Sequence, residues 1–306
     1  MTKTIGIDVG GTNLRIGVFE GAELVAEKRI NANFSNICQQ NPAEVAWQMI
    51  LSASANGIKN MLDIHPEVEH IGIGFPGFID PVTNTIVQSP NLPGLFNVNL
   101  AHDLASLIQK KVVVENDANA AAFGEYYLAK QPASGLIFMG LGTGVGGGLI
   151  LNGKPYVGHH GCAMEVGHII IEPKGRLCGC GNLGCMEQYA SASGVSLSYY
   201  LSTKKKSSAE EIAQLAYIGR ESAIKAFNVA GASLAQALAS ILKVTDVQHV
   251  IIGGGLTAAW DLMSASFNQR LNQDLIPVLR QKVKVEITTA QDVAGMLGAA
   301  MLANID

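Results

Sequence analysis

Between Glu165 and Tyr189 the chain reads EVGHIIIEPKGRLCGCGNLGCMEQY, which gathers one histidine and three of the five cysteines into a short segment. Clustered thiols without an export signal read first as metal ligands, because a reducing compartment does not sustain paired structural disulfides. Glu165 and Glu187 bracket the cluster. The segment is therefore a zinc site, a catalytic site, or one device serving as both.

Two glycine turns carry hydroxyls where a phosphate could sit. DVGGTN places Asp8 at a strand end, then Gly10 and Gly11, then Thr12 and Asn13. Glycine lets backbone N–H groups turn inward and approach a phosphate without side-chain interference. Thr12 would add a hydroxyl donor. Asp8 either holds Mg2+, directly or through water, or merely caps backbone in a tight hairpin. LGTGVGGG repeats the arrangement, with Thr143 between Gly142 and Gly144. It contains a G-x-G-x-x-G match, but that dinucleotide motif must open a helix, and here GLILNG continues as a strand. No G-x-x-x-x-G-K-[ST] occurs, which excludes a P-loop. Gly253–Gly255 end a third strand and either admit a nucleoside or form a simple strand-to-helix turn. Two facing strand–turn–strand loops suit a nucleoside triphosphate held between two domains.

VVVENDANAAAFGE puts Asn116 and Asp117 where a buried strand gives way to a helix. A partly desolvated aspartate there suits a general base, and phosphoryl transfer asks for little more than positioning, Mg2+ and such a carboxylate. The competing reading is a helix N-cap. One residue of the pair can cap while the other acts.

The elements that must position these residues alternate between strand and helix along the chain. KTIGIDVGGTNLRIGVFEGAELVAEKRI predicts three strands with glycine turns. Asn41 and Pro42 are placed to cap and open a helix through NPAEVAWQMILSASANGIKNML. HIGIGFPGFID is a buried strand entering a turn, and LAHDLASLIQKK is a helix. GLIFMGLGTGVGGGLILNG again reads strand, turn, strand, so the second half repeats the first in outline. Seven glycines from Gly135 to Gly148 rule that stretch out as a membrane helix. Ser208 and Glu211 predict a capping box ahead of a helical region, and VQHVIIGGGL and VKVEITTA are later strands. The pattern is that of an α/β protein.

Composition narrows the function classes. The chain has 306 residues, 48% hydrophobic and 15% charged, with a formal net charge of −4. That length supports two domains, and the acidic balance with no basic stripe speaks against nucleic acid or an anionic membrane as partner. MTKTIGIDVGG enters strand alternation without a charged-then-apolar leader, so the expected location is the cytoplasm.

Taken together, DVGGTN, GFPG, ENDANAAAFGE, LGTGVGGG, EVGH, CGCGNLGCMEQ and VIIGGG resemble the ROK family of sugar kinases, in that order and over almost the whole chain. The resemblance implies a two-domain actin-like ATPase (ribonuclease H-like) fold with a cleft between domains. The expected division is 1–117 plus 292–306, and 118–291 with the zinc-binding segment. It implies an ATP- and Mg2+-dependent kinase acting on a hexose 6-hydroxyl, as a homodimer or homotetramer. Asp117 would be the base, beside Asn116 on the sugar hydroxyls. Glu165, His168 and Glu187 would contact hydroxyls near the anomeric end, and Gly77 would line the pocket with backbone. Thr12 and Thr143 with their glycines would hold phosphates, and Gly254 would lie near the nucleoside. Structural zinc would be bound by His168, Cys178, Cys180 and Cys185. One imidazole and three thiolates close a tetrahedral site and leave no position for a water nucleophile. Cys38 and Cys162 fall outside this pattern. One departure stands out: Met164 occupies a position where the family commonly has glycine.

The short segment between His168 and Cys178, GCMEQYASASG and SPNLPG are similar to the glucokinase branch, so glucose is the expected substrate. N-acetylglucosamine, N-acetylmannosamine, fructose and mannose kinases share the frame and are the alternatives. A sugar-sensing repressor of the same family would need a helix-turn-helix ahead of the first strand. A non-catalytic sugar-binding protein would have no reason to keep Asp8, Asp117 and both threonine loops.

Overall fold

The computed structural model describes residues 3–290 and 293–305. The chain divides into two compact units, one of Met1–Gly135, Gly148–Ala163 and Ala290–Asp306, the other of Leu136–Gly147 and Met164–Thr289.

The first unit opens with the three expected strands, β1 (Lys3–Val9), β2 (Asn13–Glu20) and β3 (Glu23–Asn31). Helix α1 (Phe34–Gln40), which the sequence pattern did not suggest, precedes α2 (Ala43–Ile64). Asn41 closes α1 instead of capping α2. Its backbone N–H and its Nδ2 both donate to the Ile37 carbonyl, at 3.1 and 2.9 Å. A helix ending at that point claims the asparagine first, and Pro42 takes the N-cap position of α2, at φ −55 and ψ 147, one residue before the helical position the pattern assigns to it and without a side-chain cap.

The chain continues through β4 (His70–Phe75) and a small antiparallel sheet of β5 (Phe78–Ile79), β6 (Ile86–Gln88) and β7 (Phe96–Val98). Helix α3 (Leu100–Ile108), β8 (Val112–Asn116) and α4 (Asp117–Leu128) follow. The main sheet has the order β3-β2-β1-β4-β8, with β1, β4 and β8 parallel. In its register Asp8 pairs with Gly74, Gly74 with Glu115, and Phe75 with Asn116. Asp8 and the Glu115–Asp117 junction therefore share the carboxyl edge of the parallel strands, where α/β sheets hold ligands. Beneath that edge, Ile5, Ile7, Leu14, Ile16, Ile71 and Ile50 are fully or almost fully buried in one core.

The second unit begins with β9 (Leu136–Leu141), a glycine turn and the start of β10 (Val145–Leu151), as expected for the uncharged stretch. β10 runs on into the first unit, where Ile150 and Leu151 pair with Pro155 and Lys154 of β11 (Lys154–Pro155). After the cysteine segment come α5 (Glu187–Ala190), α6 (Ala192–Thr203), α7 (Ala209–Tyr217) and α8 (Glu221–Thr245). The capping box of Ser208 and Glu211 is formed at the start of α7. Strand β12 (His249–Gly253), helix α9 (Trp260–Asp274) and strand β13 (Lys284–Ile287) complete the unit. Its sheet runs β10-β9-β12-β13, with β12 parallel to both β9 and β13. Among the described residues α8 is the one helix long and apolar enough to cross a membrane. It is a core helix: Phe227, Leu234 and Leu238 along it are completely buried.

Helix α10 (Val293–Leu302) returns to the first unit and lies directly on its sheet. A β-carbon on Gly72 would overlap the Ala299 carbonyl, and one on Gly298 would overlap the Ala120 carbonyl of α4. These backbone-to-backbone approaches hold α4 in the first unit. The sequence-based boundary after residue 117 had placed α4 with the other domain. Its partner boundary at 292 lies outside the described residues.

Candidate active site

In the first unit β8 passes into α4 without a loop, and Asn116 is the residue that caps. Its Oδ1 accepts the N–H groups of Ala118 and Asn119 at 2.9 and 3.1 Å, and its Nδ2 donates to the Gly77 carbonyl at 3.1 Å. Asp117 is left as the first helical residue, its Oδ1 accepting the Ala118 N–H at 2.9 Å. Burial pushes its carboxyl above the ordinary aspartate range, outweighing the hydrogen bonds that pull the other way. A carboxylate of raised basicity is suited to taking a proton from a hydroxyl.

Glu115 and Asn119 stand behind this pair. Glu115 Oε1 accepts the Asn116 N–H at 2.8 Å and Asn119 Nδ2 at 3.1 Å, and burial raises its pKa as well. Asn119 Oδ1 is buried without a hydrogen-bond partner among the described residues. Sequence reasoning missed both, although a glutamate and an asparagine four apart across a strand–helix junction were the signal. Gly77 joins the same group through its carbonyl. A β-carbon there would come 2.8 Å from the Gln88 carbonyl.

The first glycine turn lies on the same sheet edge. The Gly10 N–H donates to the Asn13 carbonyl at 2.8 Å, and the Thr12 carbonyl accepts from Ala32 and Asn33 at 3.0 Å each. These bonds fix the turn and leave the Thr12 and Asn13 side chains exposed. Asp8 stands opposite Gly74, and a β-carbon on Gly74 would lie 3.5 Å from the Asp117 Cα. The parallel register thus brings Asp8 and Asp117 to either side of one glycine.

The second unit holds the cysteine segment. His168, Cys178, Cys180 and Cys185 offer ligand atoms that all lie within 4.8 Å of one another. Cys178 Sγ is 3.6 Å from His168 Nδ1, and Cys180 Sγ is 3.6 Å from Cys185 Sγ. Donors at roughly 2.0–2.3 Å from a tetrahedral ion stand about 3.5–3.8 Å apart, so the spacing fits zinc. The donor chemistry fits too. Burial and the neighbouring sulfurs push the Cys185 thiol up to about 12, while the Asn182 backbone N–H draws Cys180 down. A dication is the partner that lets three thiolates share so small a volume. With Nδ1 turned to the sulfurs, His168 Nε2 lies 3.8 Å from Glu165 Oε2. The imidazole thus links the candidate zinc ligands to a carboxylate, in the way outer ligands orient a site.

Arg176, also unread in the sequence, ties this segment down. Its guanidinium lies 4.2 Å from the Tyr189 ring centre and donates to Ser198 Oγ at 2.9 Å and the Gly194 carbonyl at 3.2 Å. The second glycine turn is closed by the Gly142 N–H donating to the Gly144 carbonyl at 2.9 Å, with Thr143 exposed. Gly254, at φ 88, packs so closely that a β-carbon would overlap Leu141 backbone at the root of that turn. The Val145 N–H donates to Glu187 Oε2 at 3.0 Å. Thus Gly142–Gly144, Gly254, Gly255, Glu165, His168 and Glu187 are all carried by the second unit, and Asp8, Gly10–Asn13, Gly77, Asn116 and Asp117 by the first.

The departure at Met164 has a backbone consequence. Met164 sits at φ 64, in the left-handed region where a β-carbon is strained by roughly 1–2 kcal/mol. The carbonyl of Met164 accepts the Val166 N–H at 2.6 Å and lies 3.0 Å from where a Gly147 β-carbon would be, which holds the conformation. Met164→Gly is expected to raise the denaturation midpoint, with a gain of up to about 1 kcal/mol once the extra freedom of unfolded glycine is subtracted. A lower midpoint would mean that the methionine side chain contributes more by packing than its backbone costs.

These geometries can be set beside known proteins. The ROK family model matches residues 4–305. The chain belongs to the ROK family. A glucokinase from Thermotoga maritima is 30% identical over 98% of this chain and 96% of its own length. An N-acetyl-D-glucosamine kinase from Salmonella heidelberg is 32% identical over 97% of this chain and 98% of its own. Among solved structures, a ROK glucokinase from Streptomyces griseus in complex with glucose and AMPPNP superposes with a TM-score of 0.80. It is 30% identical and covers 98% of this chain and 99% of that one. The ROK relationship therefore runs through both units, and the α/β fold class is that of the family. Identities near 30% to kinases of different sugars leave the family fixed and the hexose open.

Proposed function

We propose that this ROK protein is an ATP-dependent hexose kinase that phosphorylates the 6-hydroxyl of glucose. The observation that carries the reading is Asp117, a carboxylate made more basic by burial at the first turn of α4, beside an Asn116 already fixed by capping and by Gly77. In this reading Asp117 accepts the proton of the 6-hydroxyl as that oxygen bonds to the γ-phosphorus, and the bond to ADP breaks. The turns Gly10–Asn13 and Gly142–Gly144 hold the phosphates through backbone N–H groups and the exposed Thr12 and Thr143 hydroxyls, with Gly254 and Gly255 near the nucleoside. Mg2+, for which Asp8 is the candidate ligand, would neutralise charge on the transferred group. Glu165, His168 and Glu187 receive the sugar hydroxyls, and structural zinc on His168, Cys178, Cys180 and Cys185 holds the imidazole in register without entering the reaction.

The second reading is an N-acetylhexosamine kinase, favoured by the 32% identity to an N-acetyl-D-glucosamine kinase. The two differ by an acetamido group, which the pocket must admit or exclude sterically. An ADP-release assay with ATP and Mg2+ across glucose, N-acetylglucosamine, N-acetylmannosamine, mannose and fructose ranks them by kcat/KM. Glucose is expected to lead. An N-acetylated sugar ahead of glucose would transfer the assignment, and binding without ADP release for every sugar would leave a sensor.

A further inference from the structure

The carboxylate of Glu187 leans onto the second glycine turn. Its Oε2 accepts the Val145 N–H at 3.0 Å, and a β-carbon on Gly144 would overlap that oxygen. The opposite root of the turn is tied to the same segment, since the Ala192 N–H donates to the Gly142 carbonyl at 2.9 Å. Gly167 fills the corner: a β-carbon there would come 2.5 Å from the Val145 carbonyl and 3.4 Å from Glu187 Cβ. The short turn is therefore gripped at both ends by the stretch that carries Glu187, two residues beyond Cys185.

We propose that Glu187 is a positioning residue for the nucleotide as well as a sugar ligand, holding the Gly142–Thr143–Gly144 turn in its phosphate-receiving shape. This rests on the reading of that turn as a phosphate loop. The Val145 N–H is consumed by the carboxylate, so it shapes the turn and does not serve as a phosphate donor. With Oε2 committed to backbone, Oε1 is the oxygen left for a sugar hydroxyl. One side chain then answers to both substrates, and removing it moves both affinities.

The test uses the full chain and Mg2+·AMPPNP as the probe, with dissociation constants from calorimetry and separate KM values for ATP and sugar. Glutamine keeps an oxygen for the Val145 N–H, so Glu187→Gln is expected to bind AMPPNP within about twofold of wild type while its sugar KM rises. Glu187→Ala removes the acceptor and is expected to weaken AMPPNP roughly tenfold or more. Gly144→Ala pushes the carboxylate aside but deletes no sugar-binding group, and it should weaken AMPPNP in the same way. A change confined to sugar KM in Glu187→Ala, with wild-type AMPPNP affinity in both alanine variants, overturns the positioning role and leaves the nucleotide reading standing. Wild type that fails to bind AMPPNP overturns the nucleotide reading itself, and this inference with it.

Discussion

Asp117→Asn is expected to lower kcat by roughly 10²- to 10⁴-fold, the contribution of a positioned general base, while sugar binding stays measurable. The amide keeps the size of the side chain and an oxygen for the Ala118 N–H that Asp117 now holds at 2.9 Å. It cannot take the hydroxyl proton. Turnover and calorimetric sugar binding together decide the matter, and a normal kcat in this variant would end the assignment. The same substitution carries an opposite effect on stability. Burial raises the folded-state pKa of Asp117 above its unfolded value, so the ionised form costs stability. That cost is full above the folded pKa and fades as pH falls towards the unfolded one. The asparagine variant should therefore outlast wild type in denaturation at neutral and alkaline pH and lose its advantage in acid. Glu115, raised by burial in both proteins, contributes the same slope to each and cancels from the difference. In the wild type, the acid limb of kcat/KM should lie above the ordinary aspartate pKa, because a general base acts only when unprotonated and burial raises the Asp117 pKa.

Cys180→Ser has the second large expected effect. A structural zinc contributes apparent binding energies of about 10–16 kcal/mol, and a serine in one of four positions forfeits much of it. In the zinc reading the ion would hold His168 with Nδ1 towards Cys178 and Nε2 towards Glu165, and the variant would lose that restraint. Metal analysis is expected to find little zinc, and sugar KM should rise, since the imidazole and Glu165 are no longer held together. The Arg176 clamp on Tyr189, Ser198 and Gly194 uses none of the four candidate ligand atoms and should keep the fold of α6 intact. Circular dichroism of the variant separates loss of the site from loss of the unit. Full zinc content with an unchanged sugar KM would contradict the role given to the cluster.

Much of this molecule was legible in its residue order because the decisive signals are local. Glycine turns between alternating apolar stretches gave β1–β2 and β9–β10, and the Ser208–Glu211 capping box was read from two residues three apart. The donor cluster was equally plain, since one histidine and three cysteines fall within eighteen residues, and the fold brings their ligand atoms within 4.8 Å of one another. Helix α1 was not legible: it is short, and its end took the asparagine that the pattern assigned to α2.

The residue types alone thus set out the chemistry to look for in this chain: a base candidate, two candidate phosphate turns, a Cys3His donor set that fits zinc, and the ROK signature. Tertiary structure decided which member of each ambiguous pair does what. Asn116 caps and Asp117 does not, because a capping side chain must reach two N–H groups one turn ahead, and only the position before the helix allows it. Asp8 and Asp117, more than a hundred residues apart in sequence, both come to lie beside Gly74 because a parallel register sets β1, β4 and β8 edge to edge. Glu187 reaches the Val145 N–H because the chain folds back across forty-two positions, a distance over which no sequence periodicity carries information.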